Sequence, residues 1–253
     1  MIPFRDENPT VNLPIVTYVI IGMNIVVWVV VQGLGATYPL AESFCQYALI
    51  PGDLLGSAPP NTQIAVAQNL TCPIDGQGQL STLVSSMFMH GGWFHIIGNM
   101  LFLWVFGDNV EDVMGPFRFA AFYVLCGLAA AIAQIVTDPT SLIPMVGASG
   151  AIGGVMGAYA ILYPRARIHM LLILIVYVTT ISVPAFVVLG YWFLIQVISG
   201  LGTLGASGGG VAFWAHIGGF VAGVVLVFFF RDKDMLAARR KLTERRNAKH
   251  SWF

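Results

Sequence analysis

The stretch Ile168 to Ser199 reads IHMLLILIVYVTTISVPAFVVLGYWFLIQVIS, apolar almost throughout, with Pro184 in its middle. It is long enough for one membrane crossing or two, and that choice sets the topology of the chain. The membrane context comes from composition. Of 253 residues, 57% are hydrophobic and 9% charged, against roughly 25% charged in soluble domains. Such a chain cannot cover a water-soluble globule with charge, which excludes soluble-enzyme and nucleic-acid-binding readings. A membrane-spanning helix takes about 20 apolar residues to cross ~30 Å of hydrocarbon. Outward from the deciding stretch, the other candidate spans are Ile15–Val31, Trp93–Phe106, Phe117–Val136, Ser149–Tyr163 and Val211–Phe230. No small-residue cleavage site follows the first, so it reads as an anchor rather than a signal peptide.

Charge decides the count, because Lys and Arg near helix ends stay cytoplasmic. With the N-terminus inside and one crossing in Ile168–Ser199, all 12 Lys and Arg fall on the cytoplasmic side. Two crossings would set Arg231 and the basic tail opposite Arg165 and Arg167. The expected fold class is therefore an all-α polytopic membrane protein with six transmembrane helices. Residues 1–14 form a cytoplasmic N-terminus, 15–230 the helical domain and 231–253 a basic cytoplasmic tail. A long outer loop covers about 32–92 and contains no Lys or Arg. The half of the deciding stretch before Pro184 is read as a loop or a membrane-surface segment. Cys45 and Cys72 share the outer loop, where a disulfide is chemically permitted; the sequence leaves their pairing open. Cys126 reads as a small buried hydrophobe. The tail, with Arg239-Arg240-Lys241 and Arg245-Arg246, reads as a solvated helix and topology signal. Attraction to anionic lipid, about 1 kcal/mol per basic residue near the surface, is its second reading.

Polar side chains at membrane depth are costly and so are functional candidates. Four stand out: His95, Asn99, Ser149 and His216. Ser149 lies in Gly147-Ala148-Ser149-Gly150, with Gly153, Gly154 and Gly157 following. Small residues are common at membrane helix interfaces, which is the bland reading of this motif. His216 is followed by Gly218, Gly219 and Gly223, and a lone membrane histidine is often an interhelical hydrogen bonder. Depth couples the two. Ser149 lies about 14 residues, roughly 21 Å, from the helix end at Tyr163, and His216 lies equally far from Phe230. A serine and a histidine at one depth on glycine-faced helices is the arrangement a nucleophile and its base require. His95 and Asn99 share one helix face and approach the same level, where two donors suit an oxyanion; a structural polar pair is the alternative. Zinc-protease chemistry lacks its H-E-x-x-H motif, and no aspartate pair or buried carboxylate pathway lies within the spans.

These residues resemble the rhomboid family of intramembrane serine proteases. The match is carried by His90-Gly-Gly-Trp-Phe-His95-Ile-Ile-Gly-Asn99, by Gly147-Ala-Ser149-Gly150 and by Ala215-His216-Ile-Gly-Gly219-Phe-Val-Ala-Gly223, in the family's order. The opening Ile2-Pro-Phe-Arg-Asp-Glu-Asn-Pro9 is similar to bacterial members. The resemblance implies a Ser–His dyad without aspartate that cleaves transmembrane segments near the outer membrane face. Ser149 would be the nucleophile and His216 the general base. His95, Asn99 and the Ser149 N–H would hold the oxyanion, and Gly219 and Gly223 would pack the sixth helix on the fourth. It implies no cofactor and no metal, transmembrane proteins and the lipid bilayer as partners, no nucleic acid, and a bacterial plasma-membrane location. Substrate identity and oligomeric state are not given. Two positions depart from the family pattern: Leu80-Ser81-Thr82 replaces a Trp-Arg pair of many relatives, and Gly153 stands where some carry a tyrosine that stacks on the histidine. A tryptophan or phenylalanine elsewhere is then expected to orient His216. The fifth helix with Pro184 and the loop Gly205–Gly210 are the expected mobile elements. The rival readings are a non-catalytic rhomboid-like protein that binds membrane clients and, disfavoured by the lack of buried carboxylates, a small transporter.

Overall fold

The deciding stretch holds a strand pair and then a helix. In the computed structural model, which describes residues 2–59, 61–68, 70–74, 76, 78–174, 177–204, 211–239 and 241, the chain opens with β1 (Ile2–Asp6) and α1 (Ile15–Val30). The region read as the outer loop contains α2 (Thr37–Tyr47), α3 (Pro51–Leu54), β2 (Thr62–Ala67), β3 (Leu70–Ile74) and α4 (Thr82–Ser85). Then come α5 (Trp93–Met114), α6 (Pro116–Thr137), α7 (Ser149–Leu162), β4 (Arg167–Leu174), β5 (Tyr177–Pro184), α8 (Ala185–Thr203) and α9 (Phe213–Phe230).

β4 and β5 pair antiparallel from Arg167↔Pro184 to Leu174↔Tyr177. β1 adds to the other edge of β4, with Ile2 opposite Leu171 and Asp6 opposite Ile168. The β-branched run Val178-Thr179-Thr180-Ile181 favours this pleated state. Pro184, which lacks an N–H, ends the strand and precedes the first turn of α8. The hairpin returns the chain to where α7 ended: Ala185 N–H donates to the Ala166 carbonyl (2.8 Å) and Phe186 N–H to that of Pro164 (3.0 Å). One membrane-length helix remains in the stretch. The all-α expectation is corrected accordingly: the chain is mainly helical, with a three-stranded sheet β1-β4-β5 and a β2-β3 hairpin. Cys45 and Cys72 form a disulfide, Cα–Cα 5.3 Å, that ties α2 to β3.

Three described helices, α6, α8 and α9, are long and apolar enough to cross a membrane; α1 and α7 are shorter apolar helices. The second span, expected to end at Phe106, continues through α5 to Met114. Its acidic residues do not end the helix because they are buried and occupied. Glu111 accepts from Val16 N–H (2.9 Å), Thr17 N–H (2.7 Å) and the Thr17 hydroxyl (2.8 Å). These amides open α1 and have no intrahelical acceptor. Asp112 accepts from the N–H groups of Val11 (2.9 Å) and Asn12 (2.8 Å).

α7 is the central helix, buried continuously from Gly150 to Tyr159. It meets α9 along a glycine seam. A Cβ on Gly219 would overlap the Gly150 carbonyl, and one on Gly223 would overlap that of Gly154. Removing side chains from both sides lets the backbones touch, which is how membrane helices gain packing without a hydrophobic driving force. The described basic residues gather at one end of the bundle, where α5 meets α6 and where α7 and α9 finish. There Arg118 pairs with Asp232 (3.2 Å), and Asp232 N–H donates to the Val113 carbonyl (2.8 Å). The expected solvated tail is corrected at Arg239, which is 3% exposed. Its guanidinium lies 4.4 Å from the Tyr163 ring centre and 3.3 Å from Asp112, and it donates to the Asn109 carbonyl at 2.8 Å. Arg240, Arg245 and Arg246 lie outside the described residues, as do Gly205–Gly210.

Candidate active site

Ser149 is the first residue of α7, at the end of the bundle opposite the basic cluster. The approach to it requires glycine. Gly147 has φ +125°, and a Cβ there would stand 2.7 Å from His95 Nε2. Gly147 N–H donates to the Ser86 carbonyl (2.9 Å), fixing the turn that presents the hydroxyl. As the opening residue of the helix, Ser149 has a backbone N–H without an intrahelical acceptor, in the positive field of the helix start.

His216 sits in the first turn of α9, and its Nε2 lies 2.8 Å from Ser149 Oγ. The glycine seam carries this contact, since Gly219 presses against Gly150 one turn further down. The other ring nitrogen, Nδ1, lies 2.8 Å from Gln196 Oε1 on α8. Trp192, one turn before Gln196, faces the imidazole with ring centres 5.7 Å apart.

His95 lies in the first turn of α5. Its Nδ1 accepts from Gly91 N–H at 3.1 Å, which leaves Nε2 as the protonated nitrogen of a neutral ring. That nitrogen is the one beside Gly147. Asn99, one turn deeper, is 7% exposed, and its Nδ2 has no hydrogen-bond partner among the described residues. His95, Asn99, Ser149, Trp192 and His216 line one cavity of about 1100 Å³, with Phe94 at its margin.

The four polar residues singled out in the sequence thus converge. Ser149 and His216 share a hydrogen bond, His95 stands beside the turn before the serine, and Asn99 opens into the same cavity. Trp192 answers the expectation of a tryptophan near His216. Gln196 was missed, although a signal for it existed: it is an amide side chain within the otherwise apolar run Ala185–Ile198, and membrane-depth polar residues merit that scrutiny. Gln32 was also missed. It clamps the residue three before α5, donating to the His90 carbonyl and accepting from His90 N–H, both at 2.9 Å.

Fold and site define a class: an integral membrane protein with a serine–histidine pair in a cavity at one end of its helices. The Rhomboid domain matches residues 77–233, which include all three motifs, and the chain belongs to the rhomboid family. It is 37% identical over 82 residues to RHOMBOID-like protein 5 of Arabidopsis thaliana, covering 32% of this chain and 26% of that protein. Over 178 residues it is 26% identical to Rhomboid protein 1, mitochondrial, of Saccharomyces cerevisiae, covering 68% and 47%. Over 150 residues it is 34% identical to Rhomboid protease GluP of Bacillus subtilis, covering 59% and 27%. The chain therefore spans about a quarter to a half of these relatives' length.

Proposed function

We propose that this protein is an intramembrane serine endopeptidase that cleaves transmembrane segments of other proteins. In this reading residues 15–230 form a six-helix domain, α1 and α5 to α9, with 1–14 and 231–253 cytoplasmic. The gathering of basic residues at one end supports that orientation; in this reading Ser149 lies near the outer face, in the plasma membrane if the source is bacterial. The observation that carries the reading is the 2.8 Å contact between Ser149 Oγ and His216 Nε2, opening on a cavity with unused donors.

His216 Nε2 takes the hydroxyl proton as Ser149 Oγ adds to the scissile carbonyl carbon. The oxygen of the tetrahedral intermediate, now anionic, is held by His95 Nε2–H, Asn99 Nδ2–H and the Ser149 N–H. Such donors are worth roughly 3 kcal/mol each where water is scarce. The intermediate collapses with cleavage of the C–N bond, and the amine leaves with the proton from His216. Water then loses a proton to His216 and adds to the acyl carbon, and Ser149 departs with that proton. An α-helical substrate hides its carbonyls in its own hydrogen bonds, so segments that unwind with small residues at the cut are the expected substrates. Retention of both dyad residues in contact favours this reading over a client-binding protein. The test is reconstitution of wild type, Ser149→Ala and His216→Ala in proteoliposomes with candidate transmembrane substrates. Cleavage by wild type alone supports the dyad; equal cleavage by all three overturns it.

A further inference from the structure

We propose that Gln196 is a positioning residue for the dyad: it holds His216 in the tautomer whose Nε2 can accept the Ser149 proton. The inference rests on the proposed protease reading and identifies what orients the base. Gln196 is 7% exposed and, with Ala185, Leu189 and Gly200, is one of the buried positions of α8. Its Nε2 donates to the Trp192 carbonyl one turn earlier (3.2 Å). A carbonyl only accepts, so this bond assigns the amide nitrogen to that side and turns Oε1 toward His216. Oε1 in turn only accepts, so Nδ1, 2.8 Å away, must carry the proton. A neutral imidazole has one N–H, and Nε2 is therefore bare where Ser149 Oγ meets it. The opposite tautomer would set two lone pairs against each other at Nδ1 and offer the serine an N–H instead of a base.

The same bond serves the next stage. When Nε2 gains the serine proton, Nδ1–H still donates to Oε1, and the amide dipole faces the new positive charge. A carboxylate in this place would fix the same tautomer, but its charge would have to be carried at membrane depth; a neutral amide avoids that cost. α8 supplies the orienting groups, and the space beside α7 is already tight. A Cβ on Gly153 would already stand 3.1 Å from the His216 carbonyl and 3.7 Å from Trp192 Cη2. Gln196 and Trp192, four residues apart and so on one helix face, hold the imidazole by its edge and its face.

The test uses the full chain in detergent. It measures the labelling rate of Ser149 by a fluorophosphonate against pH, alongside kcat and KM on a cleaved substrate and thermal unfolding. Gln196→Leu removes the acceptor. The expected result is a fall in labelling rate and kcat of about 10-fold or more, as for outer partners that fix the tautomer of a metal-ligating histidine, with KM and unfolding temperature close to wild type. Gln196→Glu keeps the acceptor and adds charge. It is expected to recover rate relative to Gln196→Leu and to move the acid limb of the pH profile upward by about one unit or more. A purely structural glutamine would not move that limb. Among the described residues, His95 on α5 is the other ionisable group facing the ring; it is unaltered in both variants, so a displaced limb reports His216. Wild-type rates in Gln196→Leu, or an unmoved limb in Gln196→Glu, would overturn the proposal. Should Gln196→Leu fail to fold, the Gln196→Glu profile alone decides. A wild type that does not label at all would overturn the protease reading itself, a result distinct from either.

Discussion

At the Ser149 end of the bundle, Asn99 lines the cavity with its Nδ2 buried and without a hydrogen-bond partner among the described residues. At the basic end, Glu111 and Asp112 saturate the amides that lead into α1, and Arg239 is inserted among Asn109, Asp112 and Tyr163. Unsatisfied buried polar groups cost roughly 1–3 kcal/mol each. One end therefore leaves a buried donor unpaired beside a cavity, and the other uses its polar groups to close the fold. In the proposed reading, chemistry belongs to the first end and stability to the second. The glycine seam of α7 and α9 runs from one end toward the other and makes each depend on the same packing.

The largest expected effect comes from breaking that seam. Gly223→Leu would drive a side chain into the Gly154 carbonyl. Overpacking of this kind costs about 3 kcal/mol or more, so both ends fail together: the unfolding temperature in detergent falls sharply and probe labelling of Ser149 is lost. A variant that stays folded and active would show that the seam is looser than its geometry.

A comparable loss confined to stability is expected from Arg239→Ala, which leaves Asp112 buried without its cationic partner. Breaking such a pair costs roughly 3 kcal/mol. Thermal unfolding should register the loss, while the labelling rate of the molecules still folded at low temperature stays at the wild-type level. A parallel fall in labelling rate would erase the distinction between the ends.

The remaining effect, smallest per step of the variable changed, is a pH dependence at the basic end. Burial pushes Asp6 from the usual carboxylate range up to about 7; the Tyr159 hydrogen bond (2.5 Å) and Arg239 oppose the rise, and Asp108 adds to it. Asn8 and Asn109 complete the surroundings, donating to the Tyr159 oxygen and to Asp6 (2.9 Å) respectively. A group with a raised folded-state pKa holds its proton longer when folded. Its stabilising contribution is present below about pH 4 and is lost as pH rises through about 7, at a slope near 1.4 kcal/mol per unit inside that window. Asp6→Asn should flatten this part of the stability profile measured by unfolding between pH 4 and 8, with little change in labelling rate at fixed pH. An unchanged slope would mean that Asp6 is not the group responsible.

Much of the Ser149 end was legible in the sequence because its logic is local. A serine among glycines, a histidine before glycines and equal distances to the ends of two helices place the pair at one level without any coordinates. The basic end was less legible. Glu111 carries no local signal of its role, because its partners at Val16 and Thr17 lie far away in the chain. Arg239 likewise reads as one of many tail cations until Asn109 and Tyr163 are beside it. The hairpin β4-β5 escaped because a short apolar run has the same composition as a helix or a buried strand; only the pairing of Asp6 with Ile168 and of Leu171 with Thr180 distinguishes them. Gln196 was visible as a polar residue, but which way it faces depends on the rotation of α8.

The central claim is that Ser149 is a nucleophile activated by His216. The most direct measurement is the mass of the intact protein, and then of its peptides, after incubation with a fluorophosphonate. A single adduct located on Ser149 is expected, absent in Ser149→Ala and nearly absent in His216→Ala. No adduct on the folded wild type, or an adduct on Ser149 that forms equally fast in His216→Ala, would contradict it.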